Sequence, residues 1–346
     1  MNKHLLSVFM LATLAVLPLH AGQTLEQALP LLQQKHRTPA QTQQVLQLFR
    51  SAKDPDTVFA AGASLVRLPP ARTQEPVLMN MVLRAQDPLR QTFAAVIITA
   101  MGATYEEFSP LFEQALTGKD PVLRAYVAAA YAIIKPKDTS YANEVVRLYI
   151  LDAPFAQRAM NLLAADSKQQ LKFLKQASAQ TDPQLRAAAA TWLGDLHDED
   201  ANKQLLKMAK SETNADVTTP IAIALAKNKD FTLPETAQGL HKNYNSVPAS
   251  TYALALGFMT GNAVDTLRRG LTDTNKNVRI NSARAAAYMA GVLNTPDAFT
   301  YSSDRKFDIH LLKGLIAPLS ALATNGSTEE KTFAQNALHQ LESLME

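Results

Sequence analysis

Residues Asp120–Ile134 read DPVLRAYVAAAYAII, and this stretch contains the pattern that decides the fold. Asp120 can accept hydrogen bonds from the free backbone N–H groups of a helix start, and Pro121 suits the first helical position. Arg124 follows, and then come small and apolar residues that allow helices to approach closely. The stretch is too short to cross a bilayer, which takes about 20 apolar residues. It is therefore predicted to be a buried structural helix.

The same pattern recurs along the chain, which indicates a repeating architecture. The strong copies start at Asp87, Asp182 and Asn275, and weaker copies start at Asp54, Asp152 and Asn214. Neighbouring starts are mostly about 30 to 33 residues apart, the period expected of a helical solenoid.

The segments between these copies are amphipathic. Residues 104–119, for example, carry Leu, Phe and Tyr on one helical face and Glu and Gln on the other. The repeating unit is therefore an outer amphipathic helix, a short turn and an inner Ala-rich helix. No run alternates with period two, so no strand is predicted.

Toward the two ends of the chain the pattern drifts. Helices are predicted at residues 24–36 and 39–53, and a diverged pair starts at Pro234 and Pro248. Residues 295–306 are predicted to be a longer loop before a C-terminal capping pair. In that pair, Ser327 and Glu330 have the spacing of a capping box.

The order Asp-Pro, hydrophobic residue, Arg, Ala run and Leu-Gly resembles the second helix of HEAT repeats, most clearly in DPQLRAAAATWLGDL, Asp182–Leu196. The resemblance implies an all-α, right-handed solenoid of antiparallel helix pairs that forms one domain over residues 22–346. It also implies a ladder between repeats, in which turn aspartates and helix arginines pair. The matching residues are Asp87, Arg90, Asp120, Arg124, Asp182, Arg186, Asp273 and Arg279. Such arrays serve unrelated functions, so the resemblance leaves the activity open.

The first residues have the order of a secretory signal peptide. Lys3 supplies a positive charge, an apolar run extends from Leu5 to Leu17, Pro18 breaks it, and Ala21 is a cleavage residue. We therefore expect residues 1–21 to be removed and the mature chain to be exported to the periplasm, with no integral membrane segment.

Composition narrows the function further. The chain has no Cys, which excludes disulfides and the Cys-linked attachment of a lipoprotein. A net charge of +3 gives no global attraction to nucleic acid or an anionic membrane.

No catalytic motif is present: the sequence has no HExxH, no GxSxG and no phosphate-binding Gly-rich loop. The cluster LHDED, Leu196–Asp200, could supply metal ligands, but adjacent helix residues point in different directions. We interpret it as an acidic helix start. Five basic residues in the C-terminal third are interpreted as a solvated face: Arg268, Arg269, Lys276, Arg279 and Arg284. No catalytic, cofactor or metal residue is predicted.

Inner helices line the concave side of solenoids, a surface suited to protein or peptide recognition. Counting along the inner helices predicts that Trp192 is buried and that a partner meets Gln91, Thr99, Ile133, Thr191, Asp195, Ile280, Arg284 and Tyr288. The intervening positions of this stripe are small: Ala95, Ala125, Ala129 and Ala187.

The function predicted is a non-catalytic binding or scaffold protein. Two alternatives stay open, an enzyme or enzyme-accessory subunit with a site assembled between repeats, and a binder of envelope lipid or polymer. The partner's identity and the oligomeric state are not predicted.

Overall fold

A computed structural model of the protein describes residues 25–227, 263–294 and 305–345. These residues form helices joined by short connections, and no strand occurs among them. The predicted all-α class is therefore confirmed. No helix within the described ranges is both long and apolar enough to span a membrane.

The chain divides into two compact units, residues 1–113 and 114–346, with the boundary inside one helix. The helices of the first unit are α1 Leu25–Leu32, α2 Pro39–Ser51, α3 Pro55–Arg67, α4 Glu75–Arg84 and α5 Pro88–Ala100, and α6 Ser109–Leu116 contains the boundary. The second unit continues with α7 Pro121–Ile134, α8 Ala142–Leu148, α9 Ala153–Leu163, α10 Ser167–Ala177, α11 Pro183–Asp195, α12 Glu199–Ser211 and α13 Ala215–Lys227. After residues 228–262 come α14 Val264–Leu271, α15 Lys276–Asn294, α16 Arg305–Leu312, α17 Ile316–Asn325 and α18 Thr328–Met345.

The predicted helix starts are confirmed by their caps. Each predicted Asp or Asn accepts a hydrogen bond from a backbone N–H two or three residues later, at distances of 2.8–3.1 Å. The capping residues are Asp54, Asp87, Asp120, Asp152, Asp182, Asn214 and Asn275. A missing cap costs a helix about 1 kcal/mol, so these side chains determine where the inner helices begin.

In the first unit, α3 packs against α2 and α5. Phe93 of α5 lies edge-on to Phe59, with ring centroids 5.1 Å apart. Two arginines that the sequence analysis did not single out secure the helix ends. Arg37 donates to the carbonyl oxygens of Ser64 and Leu68, each at 2.7 Å, and Arg67 donates to that of Leu32. Burial, aided by the charge of Arg67, lowers the pKa of Arg37 to about 10.

In the second unit, α7 packs against α8 and α9, and α11 packs against α8, α10 and α13. At the α11–α13 crossing, Gly194 lies so close to Ala224 that a Cβ on residue 194 would be 2.6 Å from the Ala224 Cβ. The Leu-Gly of the repeat pattern is therefore a close-packing site. Farther along, α18 packs against α15 and α17.

The boundaries near the C-terminus need a correction. The predicted loop at residues 295–306 is wrong at its end, because α16 already begins at Arg305. The first helix of the predicted C-terminal pair is interrupted by a 3-10 turn at Lys313–Leu315, so it is divided into α16 and α17. Residues 1–21, and the helices predicted from Pro234 and Pro248, lie outside the described residues.

We expect Gly194→Ala to destabilise the protein by about 1–3 kcal/mol, because the added methyl group overlaps Ala224. Gly291→Ala in α15 is the matched control: among the described residues, no atom outside its own helix backbone and chain neighbours lies within 4 Å of the added Cβ, so it should stabilise by about 0.4–1 kcal/mol. Thermal and denaturant unfolding of both variants measures the difference. Equal effects would contradict the close approach of α11 and α13.

Candidate functional site

The predicted partner-binding residues do not form one exposed stripe. Thr99, Ile133 and Ile280 are buried, so their predicted exposure is wrong. Gln91, Thr191 and Asp195 are half-buried, and Arg284 and Tyr288 are exposed. The alanines predicted between them, Ala95, Ala125, Ala129 and Ala187, are also buried.

The physical reason is that α5 and α7 are covered on all sides along most of their length. Every residue from Thr92 to Thr99 and from Ala125 to Ile134 is buried. The one polar group at the end of the first run, the Thr99 hydroxyl, donates to the Ala95 carbonyl at 2.9 Å. A helix that is buried all round has no outward face, so these helices offer no surface to a partner.

Asp195 serves the structure of the second unit. Its carboxylate accepts a hydrogen bond from the Tyr149 hydroxyl at 2.9 Å and pairs with the Lys227 ammonium at 2.8 Å. The Tyr149 ring stacks on Trp192 at 4.2 Å, and Trp192 is fully buried, as predicted. Burial and the hydrogen bond to Asp195 raise the pKa of Tyr149. Asp195 therefore links α11 to α13 and to the end of α8.

The exposed part of the predicted set lies on α15. The Arg284 guanidinium lies over the ring of Phe333 from α18, 5.1 Å from the ring centre. Tyr288 follows one turn later and is 38% exposed, which is unusual among the large aromatic side chains of the described residues. Burial of the rest of its surface raises the pKa of Tyr288. These three residues, Arg284, Tyr288 and Phe333, are called the α15 surface below.

Three of the predicted ladder arginines share one arrangement. Arg124, Arg186 and Arg279 each donate to carbonyl oxygens of the loop before their own helix, at 2.6–3.0 Å. Each also pairs with a glutamate farther along the chain, namely Glu144, Glu212 and Glu330 respectively. The arginine therefore closes its own loop and holds a later one, as the ladder implies, but its partner is Glu rather than Asp.

The Arg186–Glu212 pair is the most complete of the three. Two nitrogens of Arg186 donate to the two oxygens of Glu212, at 2.7 and 3.1 Å. Glu212 is buried and also accepts from the backbone N–H of Asn214, the cap of α13. Burial raises the pKa of Glu212, but the hydrogen bonds from Arg186 and Asn214 outweigh burial, so the pKa lies below its usual value.

Asp87 and Asp182 also pair with arginines. Asp87 pairs with Arg90 at 2.9 Å within one helix, and Arg90 also donates to the carbonyls of Phe49 and Ala52 at the end of α2. Asp182 pairs at 2.6 Å with Arg147, a residue that the sequence analysis missed. The predicted pairing of Asp182 with Arg186 is therefore corrected.

Arg147 lies on α8 and pairs with two carboxylates, those of Glu144 and Asp182. It is buried, it contacts Glu144 at 2.9 Å on its own helix, and it reaches Asp182 on α11. Burial lowers the pKa of Arg147, but Asp182 and Glu144 more than offset burial, so its pKa is raised. Because Glu144 also binds Arg124, the four charges form one chain from α7 to α11. The spacing of Glu144 and Arg147, three residues apart on a predicted helix, was the one available sequence signal.

Glu330 is the acidic residue whose pKa is lowered most clearly. Its carboxylate accepts hydrogen bonds from the Ser327 backbone N–H at 2.7 Å and from Arg279 at 2.6 Å. The first of these is the hydrogen bond that Glu330 contributes to the predicted capping box, so this half of the box is confirmed. The hydrogen bonds with Ser327, and then those with Arg279, outweigh burial and lower the pKa of Glu330 to about 2.

The other basic residues of the C-terminal third also have partners. Arg268 pairs with Asp265 at 2.8 Å, and Lys276 pairs with Glu329 at 3.0 Å. The LHDED cluster is an acidic helix start as interpreted, because Asp198 caps α12 and its neighbours are exposed. Across residues 25–227, 263–294 and 305–345, no group of three or more His, Asp or Glu side chains is arranged to hold a metal ion.

Comparison with known proteins adds no family. No family model matches the chain, and no curated protein matches it. Two similar solved structures are crystal structures of engineered proteins. One is 19% identical, with 79% of this chain and 97% of that chain covered and a TM-score of 0.25. The other is 15% identical, with 87% and 98% covered and a TM-score of 0.22. Arguments about function therefore depend on the residues of this chain.

Glu330→Gln should destabilise the protein at pH 7 and lose this effect in acid. A lowered folded-state pKa stabilises the fold above the usual pKa of 4.5, and this contribution is lost as the pH falls to about 2. Denaturant unfolding from pH 7 to pH 2 measures the convergence of the two proteins.

Glu329→Gln is the matched control, since Glu329 is the neighbouring residue and its pair with Lys276 is exposed. We expect it to change stability little at any pH. An effect of Glu329→Gln equal to that of Glu330→Gln, or a Glu330→Gln difference that does not shrink in acid, would contradict the assignment.

Proposed function

We propose that the chain is an exported, non-catalytic binding or scaffold protein, built as a right-handed solenoid of HEAT-like helix pairs. Inner-helix contacts between α3 and α5, α7 and α9, and α11 and α13 support the repeat interpretation, as do the recurrent caps. The proposal of export rests on the signal-peptide pattern of residues 1–21. No cofactor and no metal belong to the proposal.

The partner is proposed to be a protein or peptide, and it is recognised at the α15 surface. The observation that carries the proposal is the exposure of Tyr288 beside Arg284. Tyr and Arg are among the residue types that contribute most binding energy at protein interfaces. They are the members of the predicted set that remain exposed, whereas α5 and α7 are covered.

The α15 surface is also held in place before binding. Arg284 lies over the Phe333 ring, a cation–π contact worth about 0.5–1 kcal/mol at exposed sites. The helices beneath it, α15 and α18, pack together, and the Arg279–Glu330 pair joins them. A side chain that is already ordered loses less conformational entropy when a partner binds, and this favours affinity.

Photo-crosslinking in cells tests the proposal. Tyr288 is replaced by p-benzoylphenylalanine, and Leu162 on α9 is replaced in the same way as the control, because both side chains are 38% exposed. We expect one discrete protein adduct from position 288, none from position 162, and loss of the adduct when Arg284→Ala is added. An adduct common to both positions, or no adduct at position 288, would contradict recognition at the α15 surface.

A further inference from the structure

A polar groove lies in the second unit, between α10 and the segment that enters α8. Its volume is about 280 Å³. Thr139, Ser140 and Asn143 form one wall, called the loop wall. Hydroxyl and amide groups both donate and accept hydrogen bonds. None of the described residues that line this groove is acidic.

The loop wall is held in one shape by the short segment before α8. Lys137 adopts a φ of 80°, a left-handed conformation that few side chains other than Gly, Asn and Asp adopt readily. Asp138 fixes the next turn, because its carboxylate accepts from the Ser140 backbone N–H at 3.0 Å. The ring of Tyr141 packs edge-on against Tyr131 of α7, with ring centroids 5.6 Å apart. A strained segment persists only where its surroundings fix it, so the wall is preorganised.

The opposite wall, called the helix wall, comes from α10. Gln169, Lys172 and Gln176 line it, together with Phe173, which is almost fully buried. The Gln169 side-chain oxygen accepts from the Ala165 backbone N–H at 2.8 Å, which leaves its NH₂ group to donate into solvent or to a ligand. The groove therefore offers amide donors, hydroxyl groups and one ammonium.

A row of positive charge runs along the same helix. Lys168, Lys172 and Lys175 recur at i, i+4 and i+7, so they share one helical face, and like charges at this spacing repel. No carboxylate of the described residues pairs with any of the three. The outer helix α12 differs, since its Lys203 pairs with Glu199 at 2.8 Å. The repulsion on α10 therefore has no compensating partner within the described part of the chain.

We propose that this groove binds an anionic saccharide, a hydroxyl-rich ligand that carries carboxylate or phosphate groups. The hydroxyl and amide lining matches the alternating donors and acceptors of a sugar ring. Lys172 lies in the groove, and Lys168 and Lys175 extend the charge along a polymer. The volume is near the small end of the range of about 300–1,000 Å³ for ligand cavities, which suits a short length of glycan. The groove shares no residue with the α15 surface, so the two proposals stand independently.

Calorimetric titration of the full chain at low salt tests this inference with four probes of matched length. They are tetragalacturonate, a phosphorylated tetrasaccharide, neutral maltotetraose and tetraglutamate. We expect one or both anionic saccharides to bind at least about tenfold more tightly than maltotetraose and tetraglutamate, because the groove recognises hydroxyl groups and negative charge together. The tighter of the two anionic saccharides identifies the anion as carboxylate or phosphate.

Variants locate the binding. Lys172→Glu and Asn143→Ala should each weaken saccharide binding about tenfold, since one removes the central charge and the other a wall amide. Lys207→Glu on α12 is the matched control, an identical charge change at an exposed lysine outside the groove, and it should stay within about twofold of the wild type. Circular dichroism checks that all three variants fold. Binding of neither anionic saccharide, equal binding of tetraglutamate or maltotetraose, or an equal loss in Lys207→Glu would overturn the inference.

Discussion

The structure depends on one interaction, the contact of a half-buried guanidinium with loop carbonyls on one side and a later carboxylate on the other. Arg124, Arg186 and Arg279 make it in the same way. A turn between two helices leaves carbonyl oxygens without helical partners, and a guanidinium has five donors in a fixed plane with which to bind them. The same group neutralises a carboxylate that would otherwise be costly to bury. One side chain therefore closes a loop and links it to the next part of the chain.

Close packing follows from this arrangement. Because arginines and aspartates define the loops, the helices between them can use Ala and Gly, and α11 approaches α13 closely at Gly194. Helices such as α5 and α7 are buried along most of their length and leave little surface for a partner. The surfaces that we propose for binding, the α15 surface and the groove beside α10, lie where side chains remain exposed.

The sequence predicted the local features of the fold well and its long-range pairing less well. Caps such as Asp120 and Asp182 act within three residues, so the local pattern was sufficient to place them. The carboxylates that receive the arginines are 20, 26 and 51 residues away, and no local pattern identifies them. The partner-binding set failed at Thr99 and Ile133 because counting along a helix assumes that only one face is buried. Neighbouring helices bury α5 and α7 on every side along most of their length.

The role of the arginine–carboxylate contacts is tested most directly by a double-mutant cycle on Arg186 and Glu212. Lys203 and Glu199 serve as the exposed reference pair. Replacing each residue by Ala singly and together isolates the coupling energy of the pair in denaturant unfolding. We expect a coupling of about 1.5–3 kcal/mol for Arg186 with Glu212, because the pair is largely buried and bidentate. The reference pair should give a much smaller coupling, because solvent screens exposed i,i+4 pairs. Equal coupling in the two pairs would contradict the claim that the arginine–carboxylate contacts hold this structure together.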